Sequence, residues 1–389
     1  MPNLTQEQLE IRQLARDFSE GEIRPHSARW DDVRQLDDEI FTKLSELGFM
    51  GMLIPEAYGG LDFDLSTYLL VLEELAWGDA SVALSVAIHN GPVADLLMRH
   101  GTEEQKQAWL PRMAAGEVLG AFALSEPGAG SDPSSVETVA EQDGDTWRIR
   151  GEKRWVTNGG RAGLVVVFAR TSDDALGAFL VSPDDDGYSV VGREKTMGLR
   201  GSQTVSVRLD LTVGADALLG KADRGLNYAL SALDLGRIGI AAQAVGIGRA
   251  SMEHAATYAL EREQFGRPIA GFGAIQVKLA EMARMVSGAR LLAHDAAATL
   301  AGSSNGHGHL RTGVDGVTSK AAIAKLAASE AATWAADEAV QVFGGYGYMR
   351  HYPVEKLLRD AKGTEIYEGT NEIMRHVIAR EVLRDAAAR

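Results

Sequence analysis

Three short segments of this 389-residue chain combine hydroxyl groups, glycines and backbone N–H groups in a way that could bind a ligand. They cover residues 123–132, 155–160 and 366–372, and each lies beside an apolar run or a helix start. Exposed N–H groups and hydroxyls at such positions suit a polar aromatic molecule that carries phosphate. Any one segment alone could be an ordinary turn, so the prediction of a ligand site rests on all three together.

Two glycine patterns and a pair of histidines do not predict a site. Residues 128–133 begin as G-x-G, but Pro133 occupies the position of the third glycine. Residues 246–248 lie inside a helical run, and the chain has no Gly-Lys-Ser/Thr of a P-loop. Neither pattern has the strand–turn–helix context that a Rossmann NAD site requires. His307 and His309 lie in a polar stretch without a carboxylate cluster, which predicts loop histidines and no metal site.

Composition and charge exclude several classes of protein. The chain has no cysteine, which removes disulfides, thiolate metal sites and cysteine nucleophiles. Its 39 basic and 54 acidic residues give a net charge of −15, which argues against a nucleic-acid surface. No apolar run approaches the roughly 18 residues of a membrane span, so no span is expected. Glu7, Glu10 and Asp17 argue against a signal or transit peptide, so the predicted location is the cytoplasm.

The elements that must position these segments change character twice along the chain. Residues 1–118 indicate helices, with capping boxes at Thr5 and Thr102. Residues 119–222 contain short apolar or alternating runs separated by turns, without the helices that parallel crossovers need. Residues 223–389 return to helical periodicity in long alanine-rich segments. These changes predict a helical domain, a mostly antiparallel β domain and a second helical domain, with boundaries at those residues.

The predicted fold class is therefore α+β. It comprises an N-terminal helical domain, a middle antiparallel β-barrel-like domain and a C-terminal four-helix bundle. The four bundle helices are expected at residues 224–261, 273–300, 317–342 and after Thr370. Residues 302–316, rich in Gly, Ser and His, interrupt the bundle and predict a solvated loop.

With this organisation, the three segments strongly resemble the acyl-CoA dehydrogenase family of flavoenzymes. Further stretches that resemble the family are residues 55–60, 195–202, 261–268, 341–347 and 359–362. The likeness covers nearly the whole chain in the family's order, and around residues 234–241 it leans toward the short-chain, butyryl-CoA members. It implies the family's fold and an FAD-dependent oxidoreductase of fatty acid β-oxidation.

The resemblance also implies a position for FAD, between the β domain and the C-terminal bundle. The residues matched to the flavin and its phosphates are Phe122, Leu124, Ser125, Gly130, Ser131, Trp155, Val156, Thr157, Thr370, Asn371 and Glu372. Contacts to FAD on a neighbouring subunit are implied for Arg262, Phe265, Gln341, Val342, Gly344 and Gly345. A complete site would then need at least a dimer, and the family's usual homotetramer, a dimer of dimers, is expected. The chain departs from the family at Gly273, where a polar side chain is common.

For the acyl-CoA substrate, the resemblance implies contacts from Ser131, Asp234, Arg237, Tyr367 and Gly369. It implies that Glu368 is the general base that removes the pro-R α-proton while hydride passes from the β-carbon to the flavin. The product would be a trans-2-enoyl-CoA, and an electron-transfer flavoprotein would accept the electrons. Some family members carry the base on the long bundle helix instead, at a position that is Gly236 here.

Several alternatives remain open at this point. The same fold serves acyl-CoA oxidases and flavin monooxygenases, and the reverse reaction, enoyl-CoA reduction, would use the same residues. A non-catalytic protein that binds flavin or acyl-CoA is a further alternative. Acyl chain length, branching and the choice between CoA and a carrier-protein thioester are not determined by these residues.

Overall fold

The N-terminal part of the protein is helical, as predicted. The computed structural model describes residues 4–303 and 315–388. Seven α-helices precede the first strand in the described part: α1 Gln6–Phe18, α2 Arg24–Val33, α3 Asp38–Glu46, α4 Leu65–Gly78, α5 Ala80–Ile88, α6 Ala94–His100 and α7 Glu103–Ala114. Both predicted capping boxes are confirmed. The hydroxyls of Thr5 and Thr102 each accept from the backbone N–H of the glutamine three residues later, and the backbone N–H of each threonine donates to the side-chain oxygen of that glutamine.

Two helical stretches are apolar enough to resemble membrane spans. Ala80–His100 and Gly225–Glu261 meet the requirement by length and composition. Within the fold, 94% and 78% of their most apolar windows are buried inside the protein. Core helices of large domains share this composition because they are surrounded by apolar neighbours on all sides. The absence of a membrane span stays a prediction.

The middle of the chain forms one eight-stranded sheet. Its strands are β1 Gly120–Ala123, β2 Val139–Asp143, β3 Thr146–Val156, β4 Leu164–Ser172, β5 Ala175–Val181, β6 Tyr188–Arg193, β7 Val205–Gly214 and β8 Leu218–Leu219. The order is β6-β7-β3-β2-β4-β5-β8, and most neighbours are antiparallel as predicted. The sheet is mixed, however, because β1 and β2 both run parallel to β4. They follow one another along the same edge of β4, a pairing that no local sequence pattern specifies.

Strand β4 joins the two cores of the protein. Leu164, Val166 and Phe168 belong to the large core that the sheet shares with the helices. Val165 and Val167 belong to a second core inside the β domain. Because successive side chains of a strand point to opposite faces, burial on both faces explains the uninterrupted apolar run.

After the sheet come the long helix α8 Gly225–Glu261, the two-residue strands β9 Glu263–Gln264 and β10 Arg267–Pro268, and the helices α9 Gly273–Ser303, α10 Val317–Phe343, α11 Pro353–Thr364 and α12 Asn371–Ala387. Helix α10 packs against α8, α9, α11 and α12. The alanines of these helices allow α10 to approach its neighbours closely. At the separate contact between α8 and α4, Gly246 is required because a Cβ there would lie 2.5 Å from the Glu73 carbonyl oxygen. The expected loop at 302–316, with its two histidines, falls mostly in residues 304–314, outside the described residues.

The predicted fold class is confirmed: helical terminal domains flank a central sheet domain. The domain boundaries after residues 118 and 222 stay predictions.

Candidate active site

Glu368 lies in the short connection between α11 and α12 and has an unusual backbone. Its φ is +56° and that of Gly369 is +94°, so two successive residues occupy the left-handed region. A non-glycine residue held there costs about 1–3 kcal/mol and persists only where its surroundings hold it. Two cations do so. Arg237 on α8 donates from Nε to the Glu368 carbonyl at 3.2 Å, and Lys325 on α10 donates from Nζ to the Gly369 carbonyl at 2.7 Å.

The Glu368 carboxylate faces helix α8 at a glycine. A Cβ on Gly236 would lie 2.6 Å from its Oε2 atom, so only glycine leaves room for the carboxylate there. That oxygen is buried and has no hydrogen-bond partner in the described part of the chain. Burial raises the pKa of Glu368 to about 7, although the nearby charges of Arg237 and Lys325 act to lower it. The result is a carboxyl group that exchanges its proton near neutral pH.

Arg237 is itself held in position by an acidic neighbour. Its Nη1 atom lies 2.8 Å from Asp234 Oδ1, and Thr318 donates to the other oxygen of that carboxylate at 2.6 Å. Burial raises the pKa of Asp234, while Arg237 acts to lower it. Both oxygens of Asp234 thus have partners inside the protein, which leaves less capacity for the substrate contact that was predicted for it.

Tyr367 precedes the candidate base and anchors it to the helical core. Its hydroxyl donates to Gln243 Oε1 at 2.7 Å, and the amide of Gln243 donates to the Ala80 carbonyl at 2.7 Å. These two hydrogen bonds link the connection after α11, through Gln243 on α8, to the start of α5. The connection is thus tied to helices from both the N-terminal and the C-terminal part of the sequence. Burial strongly raises the pKa of Tyr367, so its hydroxyl stays protonated.

The start of α12 follows the base directly. Thr370 caps the helix, since its hydroxyl accepts from Ile373 N at 3.3 Å. Asn371 is buried, and its Oδ1 accepts from Lys325 and from Ser329 at 3.1 and 3.0 Å. Glu372 is exposed, and its own backbone N–H and the Thr370 hydroxyl lower the pKa of its carboxyl. Of these three residues, Asn371 has its oxygen engaged within the bundle.

On the sheet, the segment after β1 is shaped by a buried ion pair. Lys153 is fully buried and lies 2.7 Å from Glu126, whose carboxylate also accepts from the N–H groups of Glu137 and Thr138. The same ammonium donates to the Leu124 carbonyl at 3.1 Å. Burial lowers the pKa of Lys153 to about 8, and Glu126 acts to raise it. This pair fixes the path of the loop that carries Ser125, Gly130 and Ser131.

A second loop, at the end of β3, lies beside the first. The strand is irregular between Lys153 and Val156, and Trp155 has a φ of +56° with 53% of its surface exposed. Val156 is buried, and Arg154 donates to the Ser125 carbonyl at 2.8 Å. The hydroxyls of Ser125, Ser131 and Thr157 form no hydrogen bond within the part of the chain that the structure describes. A half-exposed indole and free hydroxyls on two adjoining loops suit a flat polar ligand such as a flavin.

The turn at residues 199–202 joins this part of the sheet to the candidate base. Asn158 N donates to the Ser202 carbonyl at 3.2 Å, and Leu199 N donates to Asp360 Oδ1 on α11 at 2.6 Å. Leu199 and the ring of Tyr367 meet at Gly363, where an added Cβ would lie 2.7 and 3.1 Å from them. The structure therefore brings the 155–157 loop and Glu368 to the same region of the protein. Phe122, also predicted for this site, lies on β1 with its ring 4.9 Å from that of Phe168.

A third group of predicted residues lies elsewhere. Arg262, Phe265, Val342, Gly344 and Gly345 line a cavity of about 720 Å³ at the far end of α8. Gln341 is exposed on the last turn of α10, just before them. Phe265 is 93% exposed at the β9–β10 turn. The 25 residues between positions 237 and 262 correspond to roughly 37 Å along a helix, so this cavity is separate from the region of Glu368.

Sequence reasoning missed Lys325, Lys153, Glu126 and Gln243. For Lys325 a signal was available, because the buried alanines at positions 321, 324 and 328 follow helical spacing and place residue 325 on the same face. A lysine on the apolar face of a core helix needs partners, and here it finds them in the turn after the candidate base. The other three had no local signal.

Comparison with known proteins identifies the family of this chain. Residues 5–117, 121–211 and 223–383 match the acyl-CoA dehydrogenase N-terminal, middle and C-terminal domains, respectively. The mitochondrial short-chain specific acyl-CoA dehydrogenase of Bos taurus is 41% identical, over 96% of this chain and 89% of that protein.

Two solved structures match the fold. Butyryl-CoA dehydrogenase from Megasphaera elsdenii matches with a TM-score of 0.93 and 38% identity, over 98% of this chain and 99% of that one. A chain solved in work on the electron transferring flavoprotein of Acidaminococcus fermentans matches with a TM-score of 0.94 and 38% identity, over 99% and 100%. With three family domains matched in order along nearly its whole length, the chain belongs to the acyl-CoA dehydrogenase family.

Proposed function

We propose that this enzyme oxidises a short- to medium-chain acyl-CoA to the trans-2-enoyl-CoA, with Glu368 as the base that removes the pro-R α-proton. One observation carries the assignment: the Glu368 carboxylate has a buried oxygen with no partner among the described residues, beside a glycine, in a turn held by two cations. A structural carboxylate in such a place would have a counter-ion or a donor on that oxygen. This oxygen is instead available to accept a proton from a ligand.

The surroundings of Glu368 suit the removal of an α-proton. A carboxyl with a pKa of about 7 is a stronger base than an ordinary glutamate and is still about half ionised at pH 7. The Glu368 N–H makes no hydrogen bond within the described residues. We assign it to the thioester carbonyl, where a donor stabilises the developing negative charge and makes the α-proton more acidic. Arg237 holds the peptide group that follows this N–H, through its bond to the Glu368 carbonyl.

FAD, the cofactor of the family, supplies the acceptor for the hydride that leaves the β-carbon. The residues present fit it. The loop with Ser125, Gly130 and Ser131, and the loop with Trp155 and Thr157, offer free hydroxyls and an exposed indole. A Cβ at Gly128 or Gly130 would meet no described atom within 4 Å, so the backbone there can be approached closely. The N-terminus of α12 after Thr370 is the candidate position for phosphate.

The short-chain assignment rests on the relatives and on one wall of the site. The bovine relative is short-chain specific, and the Megasphaera elsdenii structure is a butyryl-CoA dehydrogenase. One helical turn after Gly236, a Cβ at Gly239 would lie 3.4 Å from the Tyr68 hydroxyl and 3.6 Å from Leu72. The fully buried Tyr68 thus closes the space beside α8 that leads away from the base.

The remaining parts of the proposal concern partners. An electron-transfer flavoprotein as electron acceptor is supported by the matching chain that was solved in work on the electron transferring flavoprotein of Acidaminococcus fermentans. At least a second subunit is supported by the cavity around Arg262 and Phe265, because it lies too far from Glu368 of the same chain to serve the same cofactor. We propose that the assembly is a homotetramer. We place the enzyme in the cytoplasm.

An anaerobic spectral titration tests the proposal. Purified holoenzyme would be mixed with acyl-CoA thioesters of increasing chain length while flavin absorbance is followed. We expect bleaching with butyryl- to octanoyl-CoA and a weaker response beyond. If none of the acyl-CoA thioesters bleaches the flavin, the proposed oxidation is contradicted. If the flavin is bleached only by an added reductant and is then reoxidised by an enoyl-CoA, the assigned direction is contradicted. Comparison with aerobic turnover separates a dehydrogenase from an oxidase.

A further inference from the structure

Lys325 is a buried cation that neither the sequence motifs nor the proposed reaction accounts for. It lies in the middle of α10 with none of its side chain exposed. Its Nζ atom donates to the Gly369 carbonyl at 2.7 Å and to Asn371 Oδ1 at 3.1 Å. No carboxylate lies within salt-bridge distance of it among the described residues. A buried ammonium with only neutral acceptors is costly, so a purely structural role would be served better by a neutral side chain.

The two acceptors of Lys325 belong to the turn that carries the base. Gly369 directly follows Glu368, and both residues have left-handed backbones. Arg237 holds the carbonyl of the first residue from the side of α8, and Lys325 holds the carbonyl of the second from the side of α10. Consecutive peptide groups are thus fixed by charged donors from two different helices. Hydrogen bonds from charged donors are roughly twice as strong as neutral ones, which suits a strained turn.

Resting on the proposed function, we propose that Lys325 is a positioning residue of the reaction. Its ammonium group clamps the Gly369 carbonyl and so fixes, together with Arg237, the direction in which the Glu368 carboxylate faces the substrate. Its positive charge also favours the ionised form of that carboxylate, which is the form that accepts the α-proton.

The charged and titratable groups around the pair agree with this role. Arg237, which is paired with Asp234, faces it from α8, Tyr68 from α4, Glu365 and Tyr367 from the connection after α11, and Glu372 from α12. Burial lowers the pKa of Lys325 to about 7, and the charge of Glu368 is the largest influence that raises it. Both groups therefore titrate near neutral pH, and each stabilises the charged form of the other.

The test compares flavin reduction by acyl-CoA in holoenzyme variants from pH 6 to pH 10. Lys325→Met keeps an unbranched side chain that is one heavy atom shorter, and it removes the charge and the donor. Without the cation, the pKa of Glu368 should rise by about one unit or more. For a group with a pKa of about 7, one unit lowers the ionised fraction at pH 7 from one half to one eleventh, which is about fivefold. At high pH the Glu368 carboxylate is ionised even without the cation, so any loss in the rate of flavin reduction that persists there, up to about 100-fold, reports that the carboxylate is misplaced.

Two further variants separate position, charge and folding. Lys325→Arg restores the charge and should return the acidic limb of the pH profile toward the wild-type position. Lys320→Met is the matched control, because Lys320 lies on the same helix and pairs at 2.9 Å with Asp295, away from the turn. It should leave both rate and profile unchanged.

Two results would overturn the proposal. One is Lys325→Met with full FAD content and a wild-type rate and pH profile. The other is loss of FAD or of cooperative unfolding in both Lys325→Met and Lys325→Gln, which would assign the residue to folding. Failure of the proposed function can be distinguished from these results, because in that case none of the acyl-CoA thioesters would bleach the flavin of the wild-type enzyme at any pH.

Discussion

Replacing Glu368 by glutamine tests both the chemistry and the energetics of the site. The amide keeps the shape of the carboxyl group, which matters because Gly236 leaves no spare space against it. It cannot accept the α-proton. Loss of a general base typically reduces the rate by 10²–10⁴-fold, so flavin reduction by butyryl-CoA should fall by that factor. The variant should still bind FAD and acyl-CoA, because those contacts are distributed over other segments.

The same substitution should change stability in a pH-dependent way. The folded-state pKa of Glu368, about 7, lies above the ordinary value of 4.5, so the folded protein binds this proton more tightly than the unfolded chain does. Wild-type stability is therefore unaffected by this group below pH 4.5 and falls as the pH rises from 4.5 to 7. A difference of 2.5 units corresponds to at most about 3.4 kcal/mol, at roughly 1.36 kcal/mol per unit. Glutamine carries no such penalty.

Two assays check this reasoning. Anaerobic stopped-flow absorbance measures the rate of flavin reduction, and urea unfolding at pH 5 and pH 8 measures the free energy of unfolding. The free energy of unfolding of Glu368→Gln minus that of wild type should be larger at pH 8 than at pH 5. A variant that retained more than about a tenth of wild-type flavin reduction would refute Glu368 as the base. Equal stability differences at the two pH values would instead show that the carboxyl is not strongly perturbed.

Three further predictions concern Gly236, Tyr68 and Gly273. Gly236→Glu in a Glu368→Gly background should recover part of the turnover that Glu368→Gly loses, because the two positions are in contact. Turnover no better than that of Glu368→Gly alone would contradict this prediction. Tyr68→Ala should shift kcat/KM from butyryl- toward octanoyl-CoA by opening the space beside Gly239, and an unchanged chain-length profile would show that another residue closes it. Gly273→Gln should slow FAD dissociation about 2- to 13-fold, since a new hydrogen bond contributes about 0.5–1.5 kcal/mol and a Cβ there meets open space. Dissociation measured as unchanged or faster would mean that the site already compensates.

Local chemistry made much of this protein predictable from its sequence. Thr5 and Thr102 form the expected capping boxes because capping depends on residues three positions apart. Helices α8, α9 and α10 begin and end within a few residues of their predicted limits, because long periodic segments bury one continuous set of side chains. Thr370 caps the last helix, so the position of Glu368 just before a helix start also followed from local pattern.

The packing of the sheet and the environment of Glu368 were decided only by the tertiary structure. The parallel pairing of β1 and β2 with β4 joins strands whose sequences do not specify a partner. Gly236 contacts Glu368, which lies 132 positions away in the sequence. Lys325 donates a hydrogen bond to Gly369, which lies 44 positions away. Such contacts depend on how helices cross, and the pKa of Glu368 depends on the burial that results. The motif located the carboxylate, and the packing of α8 and α10 around it raised its pKa to about 7, the property on which its proposed role as the base depends.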